Sequence, residues 1–356
     1  MTAALAKVKD PALGRDLVAT GMLREVHCAD GRARVHVCLT TPLCPARDQI
    51  AAAVRDAVMG VPGMREVEVV FTAEVARQPA AASARLPTVR NVLAVAAGKG
   101  GVGKSTVAAN LAAALAQAGA AVGIMDADVF GPSIPQMMGP AESETGMGEH
   151  RIIPAVHYGM KVVSVGFFVE RGAAVVWRGP MIHKLIAQFV EDVDWGELDY
   201  LVVDLPPGTG DTQISLAQLV PVTGAVMVTT PQEVSVLDVE KALAMWRKVE
   251  VPVLGIIENM SYFACPHCGH REEIFAHGGG ARLAARAGVP LLGEIPMVSS
   301  VRGSGDAGQP IVLAQPESEV ARTFTAIAGR LACALSVRNL PAPGTAKRSS
   351  KLAVLR

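Results

Sequence analysis

Gly98-Lys99-Gly100-Gly101-Val102-Gly103-Lys104-Ser105 fits the pattern G-x-x-x-x-G-K-[ST] in full. The glycines let backbone N–H groups turn inward onto phosphate oxygens. A helix beginning at Lys104 adds its partial positive charge. Lys104 is then placed for the β- and γ-phosphates of ATP, and the Ser105 hydroxyl for Mg²⁺. Thr106 completes the loop. Lys99 is a second cation on the outer side of the same loop, beyond what one nucleotide needs. There it could reach a nucleotide on a facing subunit and neutralise charge that develops in phosphoryl transfer.

Two acidic segments fit this machinery. Asp204 ends the apolar run YLVVD and is suited to hold Mg²⁺ with Ser105. The Pro/Gly-rich loop Asp204–Asp211 (DLPPGTGD) could sense the γ-phosphate and transmit nucleotide state. Asp126 and Asp128, in DADVFGPS, lie where an attacking water would be ordered. Turn and N-cap roles are the plain alternative for each aspartate.

Cys265 and Cys268 form C-x-x-C in the segment NMSYFACPHCGHREEIF. Two thiolates at that spacing can chelate one metal centre, but a closed tetrahedral site or a [4Fe–4S] cluster needs about four ligands. His267, His270 and His277 could complete a zinc site within one chain. A second copy of the cysteine pair from a facing subunit is the simpler way to four thiolates. It agrees with the cross-subunit position of Lys99, so both features point to a symmetric homodimer. A thioredoxin-like dithiol fits less well, because its C-x-x-C should open a helix. Cys44 sits between prolines in a loop, while Cys333 reads as a buried thiol.

The elements that position these residues follow from the apolar pattern. Val, Ile and Leu crowd Val92–Ala97, Ala121–Asp126, Lys161–Val165, Tyr200–Asp204, Ala225–Thr229, Val253–Glu258 and Leu291–Ile295 without alternation. Strands buried on both faces of a parallel sheet read this way. Helices are expected at Lys104–Gln117, Ile182–Val190, Ser235–Val249 and Glu317–Ser336, with a shorter one at Gly278–Ala287. Residues 1–76 read as a small α+β domain: helix over Leu5–Leu17, strand over Arg32–Leu39, helix over Arg47–Val58 and strand over Glu66–Phe71. The Ala/Pro/Ser/Arg-rich stretch 77–90 reads as a linker, residues 91–338 as the nucleotide-binding domain, and 339–356 as a disordered tail.

Composition narrows the function classes. The 356 residues carry a formal net charge of +0, and aromatics are only 4%. That argues against a nucleic-acid partner, which would favour a basic surface or stacking platforms. No run of 18 apolar residues and no signal-peptide pattern appear, so no membrane partner and a cytoplasmic location are expected. The basic tail AKRSSKLAVLR is too short for a stable helix alone.

Taken together, the motifs resemble the Mrp/ApbC iron–sulfur cluster carriers, in the MinD/Mrp branch of deviant Walker A P-loop ATPases. The likeness rests on GKGGVGKST at Gly98–Thr106, DADVFGPS at Asp126–Ser133, DLPPGTGD at Asp204–Asp211, TTPQEVSVLD at Thr229–Asp238 and ENMSYFACPHCG at Glu258–Gly269. It covers about residues 90–335, and residues 1–76 resemble a small domain often fused in front of bacterial members. The resemblance implies an α/β P-loop NTPase fold with a mostly parallel sheet flanked by helices, preceded by a small α+β domain. It implies a slow ATPase that holds a labile [4Fe–4S] cluster between the cysteine pairs of a homodimer. The cluster would come from assembly scaffold proteins and pass to apo-iron–sulfur proteins. It also places Asn259 at the adenine, beside the backbone near Ile295–Met297. One segment departs: VSSVRGSGDAG, Val298–Gly308, has Ser where the family often has Asp-Pro. A MinD- or ParA-like partitioning ATPase, a zinc-stabilised nucleotide switch and an electron donor like the nitrogenase iron protein are the competing classes.

Overall fold

A computed structural model describes residues 1–78, 85–148, 151–169, 179–340 and 353–355. The chain divides into two compact units: Met1–Ala76 together with Ala332–Arg356, and Arg77–Leu331.

The first unit contains α1 (Thr2–Leu5), β1 (Leu23–Ala29), β2 (Arg32–Leu39), α2 (Arg47–Met59) and β3 (Glu66–Ala73). β1 and β2 run antiparallel, β2 and β3 parallel. α2 presents Ile50, Val54 and Val58 at helical spacing, all fully buried against Val26, Val35 and Val37. Each such side chain contributes about 1.5–3 kcal/mol by leaving water. The helix expected over Leu5–Leu17 is limited to Thr2–Leu5. Further on, the Asp10 carboxylate accepts from Ala12 and Leu13 N–H, a local turn that Pro11 favours over helix. β1 lacked a clean alternating pattern and was not expected from the sequence.

The second unit is a helix-flanked sheet. Its elements are β4 (Val89–Ala97), α3 (Lys104–Gln117), β5 (Val122–Asp126), α4 (Ile134–Met138), β6 (Gly146–Met147), β7 (Ile152–Ile153), β8 (Ala155–His157) and β9 (Met160–Ser164). There follow α5 (Gly179–Glu191), β10 (Leu198–Asp204), α6 (Asp211–Leu219), β11 (Gly224–Thr229), α7 (Glu233–Lys248), β12 (Val253–Ala264), β13 (Arg271–Glu272), α8 (Gly279–Ala287) and β14 (Leu291–Met297). α9 (Ser299–Asp306), α10 (Ile311–Ala314) and α11 (Glu319–Asn339) close it. The last turns of α11 count with the first unit, as does β15 (Ala353–Leu355), which pairs parallel to β1.

The strand order is β13-β12-β11-β4-β10-β5-β9-β8, with β14 also on β12. All seven strands expected from apolar runs lie in this sheet and pair in parallel, while β8 and β13 add antiparallel edges. β4 is the central strand, so the loop after it opens at the carboxyl edge of the sheet, where ligands of such folds bind.

Two expectations need correction. The described part of the expected linker packs into the second unit. Leu86 is buried, Arg85 donates to the Leu219 carbonyl (2.9 Å), and Gln78 accepts from the Thr223 hydroxyl (2.6 Å). These partners are far away in sequence and leave no local pattern. In the tail, expected to be disordered, residues 353–355 form β15, because the outer edge of β1 offers unpaired backbone groups; residues 341–352 lie outside the described ones. α11 reaches membrane-spanning length and hydropathy by composition, yet Phe324, Ile327, Ala328, Leu331 and Leu335 are buried in the fold.

Candidate functional site

The glycine-rich loop is shaped by close approaches that only glycine permits. A Cβ on Gly98 would lie 2.4 Å from the backbone of Asp238 in α7. Gly103 has φ +79°, and a Cβ there would meet the Asn259 amide nitrogen at 2.3 Å. Asn259 Nδ2 donates to the Val102 carbonyl (2.8 Å), so the end of β12 fixes the loop from outside. Gly101 also takes a left-handed φ of +80°. Gly100 is exposed and Val102 buried, the latter anchoring the loop to the interior.

Lys104 opens α3 with its ammonium buried among acids. Nζ lies 2.6 Å from Asp204 Oδ1 and 3.4 Å from Asp128 Oδ2, and donates to Ser105 Oγ at 3.3 Å. Ser105 Oγ donates to the other Asp204 oxygen. Asp204 is fully buried at the end of β10. Burial pushes its pKa up, while Lys104 and Ser105 pull it back.

Asp126 ends β5 beside Asp204 in register. The sequence suggested that it orders a water together with Asp128, but the structure separates the two. Asp126 is fully enclosed: it accepts from Ser164 Oγ (2.8 Å), Asp128 N–H (3.2 Å) and Ile134 N–H (3.4 Å). It therefore holds the loop Ala127–Ser133 by its backbone. Burial, and next the neighbouring Asp204 charge, raise its pKa to about 7. Asp128 instead lines a cleft with Phe130, Pro206, Pro207, Gly210 and Gln213.

The site concentrates carboxylates around one ammonium. Ser105 and Asp204 offer adjacent hard oxygen donors, the chemistry that suits Mg²⁺. Lys99 is half-buried and, among the described residues, makes no ion pair. On the other side of the loop, a cavity of about 580 Å³ is lined by Gly103, Thr106, Met137, Asn259, Phe263 and Met297, among others. Its apolar walls and the Asn259 amide can take a flat heterocycle. The sequence did not reveal α9, whose Val301, Arg302 and Asp306 close this cavity.

Cys265 and Cys268 lie in the turn of a hairpin between β12 and β13. Gly269, at φ +70°, lets the chain turn back, with Gly269 N–H on the Cys265 carbonyl (2.9 Å). Cys265 N–H donates to the His270 carbonyl (2.9 Å). The backbone N–H groups of His267 and Cys268 point at the Cys265 sulfur and lower its pKa, favouring the thiolate. Cys268 is exposed. Among the described residues, no three His, Cys, Asp or Glu side chains converge as metal ligands. His267, His270 and His277 thus do not join the cysteines in one site.

Residues 88–332 match the family described as NUBPL iron-transfer P-loop NTPase, and residues 1–70 match the iron–sulfur cluster assembly protein family. The chain belongs to the iron-transfer P-loop NTPase family. An iron–sulfur cluster carrier protein of Deinococcus radiodurans is 51% identical over 340 residues, covering 95% of both chains. One from Synechocystis sp. is 46% identical, covering 94% of this chain and 97% of its own. Among solved structures, a nucleotide-binding protein of Archaeoglobus fulgidus in complex with ADP has a TM-score of 0.58 and 39% identity. It covers 67% of this chain and 93% of its own. Membership of an iron-transfer P-loop NTPase family supports ATPase activity in general.

Proposed function

We propose that this chain is an ATP-hydrolysing iron–sulfur cluster carrier. It receives a [4Fe–4S] cluster from assembly scaffold proteins, holds it between two copies of itself and passes it to apo-proteins. The observation that carries this reading is the hairpin with two accessible thiols, one of them made acidic by backbone donors, and no third ligand converging among the described residues. Two such hairpins supply the four thiolates a cluster takes. The family and the relatives named as carriers support the same cargo.

ATP enters with its phosphates along Gly98–Thr106 and its base against Asn259. Lys104 leaves its carboxylate partners for the β- and γ-phosphates. Ser105 and Asp204 would hold Mg²⁺, which neutralises phosphate charge when bound. Asp128 faces the phosphate side and orients the attacking water, while Asp126 positions the Asp128 loop. Lys99, which makes no ion pair among the described residues, completes the facing subunit's site. Hydrolysis is slow because each site is complete only in the dimer. The cytoplasm is where this work is expected.

The test is anaerobic reconstitution with iron and sulfide, followed by iron, sulfide and zinc analysis. We expect about four irons and four sulfides per dimer, lost in Cys265→Ala/Cys268→Ala. One zinc per chain without sulfide would refute the carrier reading.

A further inference from the structure

β12 carries an irregularity between the nucleotide loop and the cysteines. Its pairing with β14 runs Glu258↔Glu294 and Asn259↔Ile295, then resumes at Phe263↔Met297. Four steps along β12 answer two along β14, so two residues bulge out. Within the bulge Met260 adopts φ +54°, a conformation rare for a side-chain-bearing residue.

The bulge is clamped from below. The buried carboxylate of Glu258 accepts from Ser261 Oγ (2.6 Å) across the bulge, and from Gly280 N–H at the start of α8. A Cβ on Gly280 would come within 2.9 Å of Glu258 Cβ, so glycine is what lets α8 approach. Ser261 is fully buried. From above, the same bulge forms a wall of the cavity through Asn259, Met260 and Phe263. Phe263 is also the residue at which the cysteine hairpin begins pairing, opposite Glu272. Cys265 lies two residues further, on the same alternation as Phe263.

We propose that Glu258 and Ser261 are positioning residues that make the β12 bulge a lever. Its short arm is the cavity wall, and its long arm is the Cys265–Cys268 hairpin. An occupant pressing on Asn259, Met260 and Phe263 tilts the hairpin, because the Glu258–Ser261 bond keeps the bulge stiff rather than letting it absorb the shift. This route is separate from the Asp204–Asp211 loop, and it rests on the reading that a nucleotide base fills the cavity.

The experiment uses the full chain free of cluster, so that its outcome does not depend on cargo. Alkylation of Cys265 by iodoacetamide is followed by mass spectrometry with and without saturating ADP, for wild type, Ser261→Ala and Glu258→Gln. ADP affinity and melting temperature are measured alongside. In wild type, ADP is expected to change the Cys265 rate at least threefold. In Ser261→Ala that ratio should fall to about one, with ADP affinity within twofold and the melt cooperative. Glu258→Gln should fall between, since an amide oxygen still accepts from one of the two donors. A wild-type rate indifferent to bound ADP, or a Ser261→Ala ratio equal to wild type, overturns the lever. A chain that shows the ratio but takes up no iron or sulfide keeps the lever and loses the carrier reading.

Discussion

Asp126 gives a prediction whose size can be worked from its surroundings. Its pKa rises from 3.8 to about 7 because folding removes it from water and sets it beside Asp204. An acid whose pKa is higher folded than unfolded favours folding at low pH, and the benefit is lost as pH rises through the folded value. The window therefore lies between about pH 4 and pH 7. At about 1.36 kcal/mol per unit, the wild-type chain should lose roughly 2–3 kcal/mol through this group between pH 5 and pH 8. Asp126→Asn keeps the shape and an acceptor for Ser164, but cannot ionise. The difference in stability between variant and wild type should then swing by roughly 2–3 kcal/mol in the variant's favour across that range. The assay is urea unfolding of both proteins at half-unit pH steps, without nucleotide and with chelator present. Comparing the two proteins cancels the titrating groups that do not interact with Asp126. ATP hydrolysis should fall in the variant above about pH 7, where the Asp128 loop loses its charged anchor. A difference flat within about 0.5 kcal/mol from pH 5 to pH 8 would refute the reasoning, and Asp126 would be an ionised carboxylate throughout.

Lys99→Ala should lower ATP hydrolysis by on the order of 10²-fold or more and abolish ATP-dependent dimerisation in light scattering; unchanged values for both would remove its cross-subunit role. Gly103→Ala forces a side chain into a left-handed position and against Asn259. It should cost about 1–2 kcal/mol in backbone strain plus about 1 kcal/mol for the Asn259 bond, read by urea unfolding and by weakened ADP binding. At pH 7.5, iodoacetamide should label Cys265 well before Cys333. Backbone donors lower the Cys265 pKa, while burial lifts Cys333 to about 11. Equal labelling rates by mass spectrometry would count against the hairpin geometry.

What the sequence made legible follows from how far each cause reaches along the chain. The P-loop and its helix are contiguous, and Lys104–Gln117 is α3 residue for residue. Buried parallel strands announce themselves because both faces must be apolar. The distinct environments of Asp126 and Asp128 were not legible, because they depend on Ser164 and Asp204, residues on other strands. β12 is the most instructive case. Its apolar run stops at Ile257, so the sequence ends the strand at Glu258, whereas the strand continues to Ala264. Glu258, Asn259 and Ser261 look like strand breakers because each is polar, yet all three are buried. Each satisfies its polar atoms at a distance: on α8, on the nucleotide loop, or across the bulge. Burying them is favourable only because those partners exist, since an unpaired polar group there would cost about 1–3 kcal/mol. Where polar residues interrupt a core strand and find partners on two other elements, the strand also connects those elements. That is the physical reason for looking to β12, between the phosphate loop and the thiols, for communication between them.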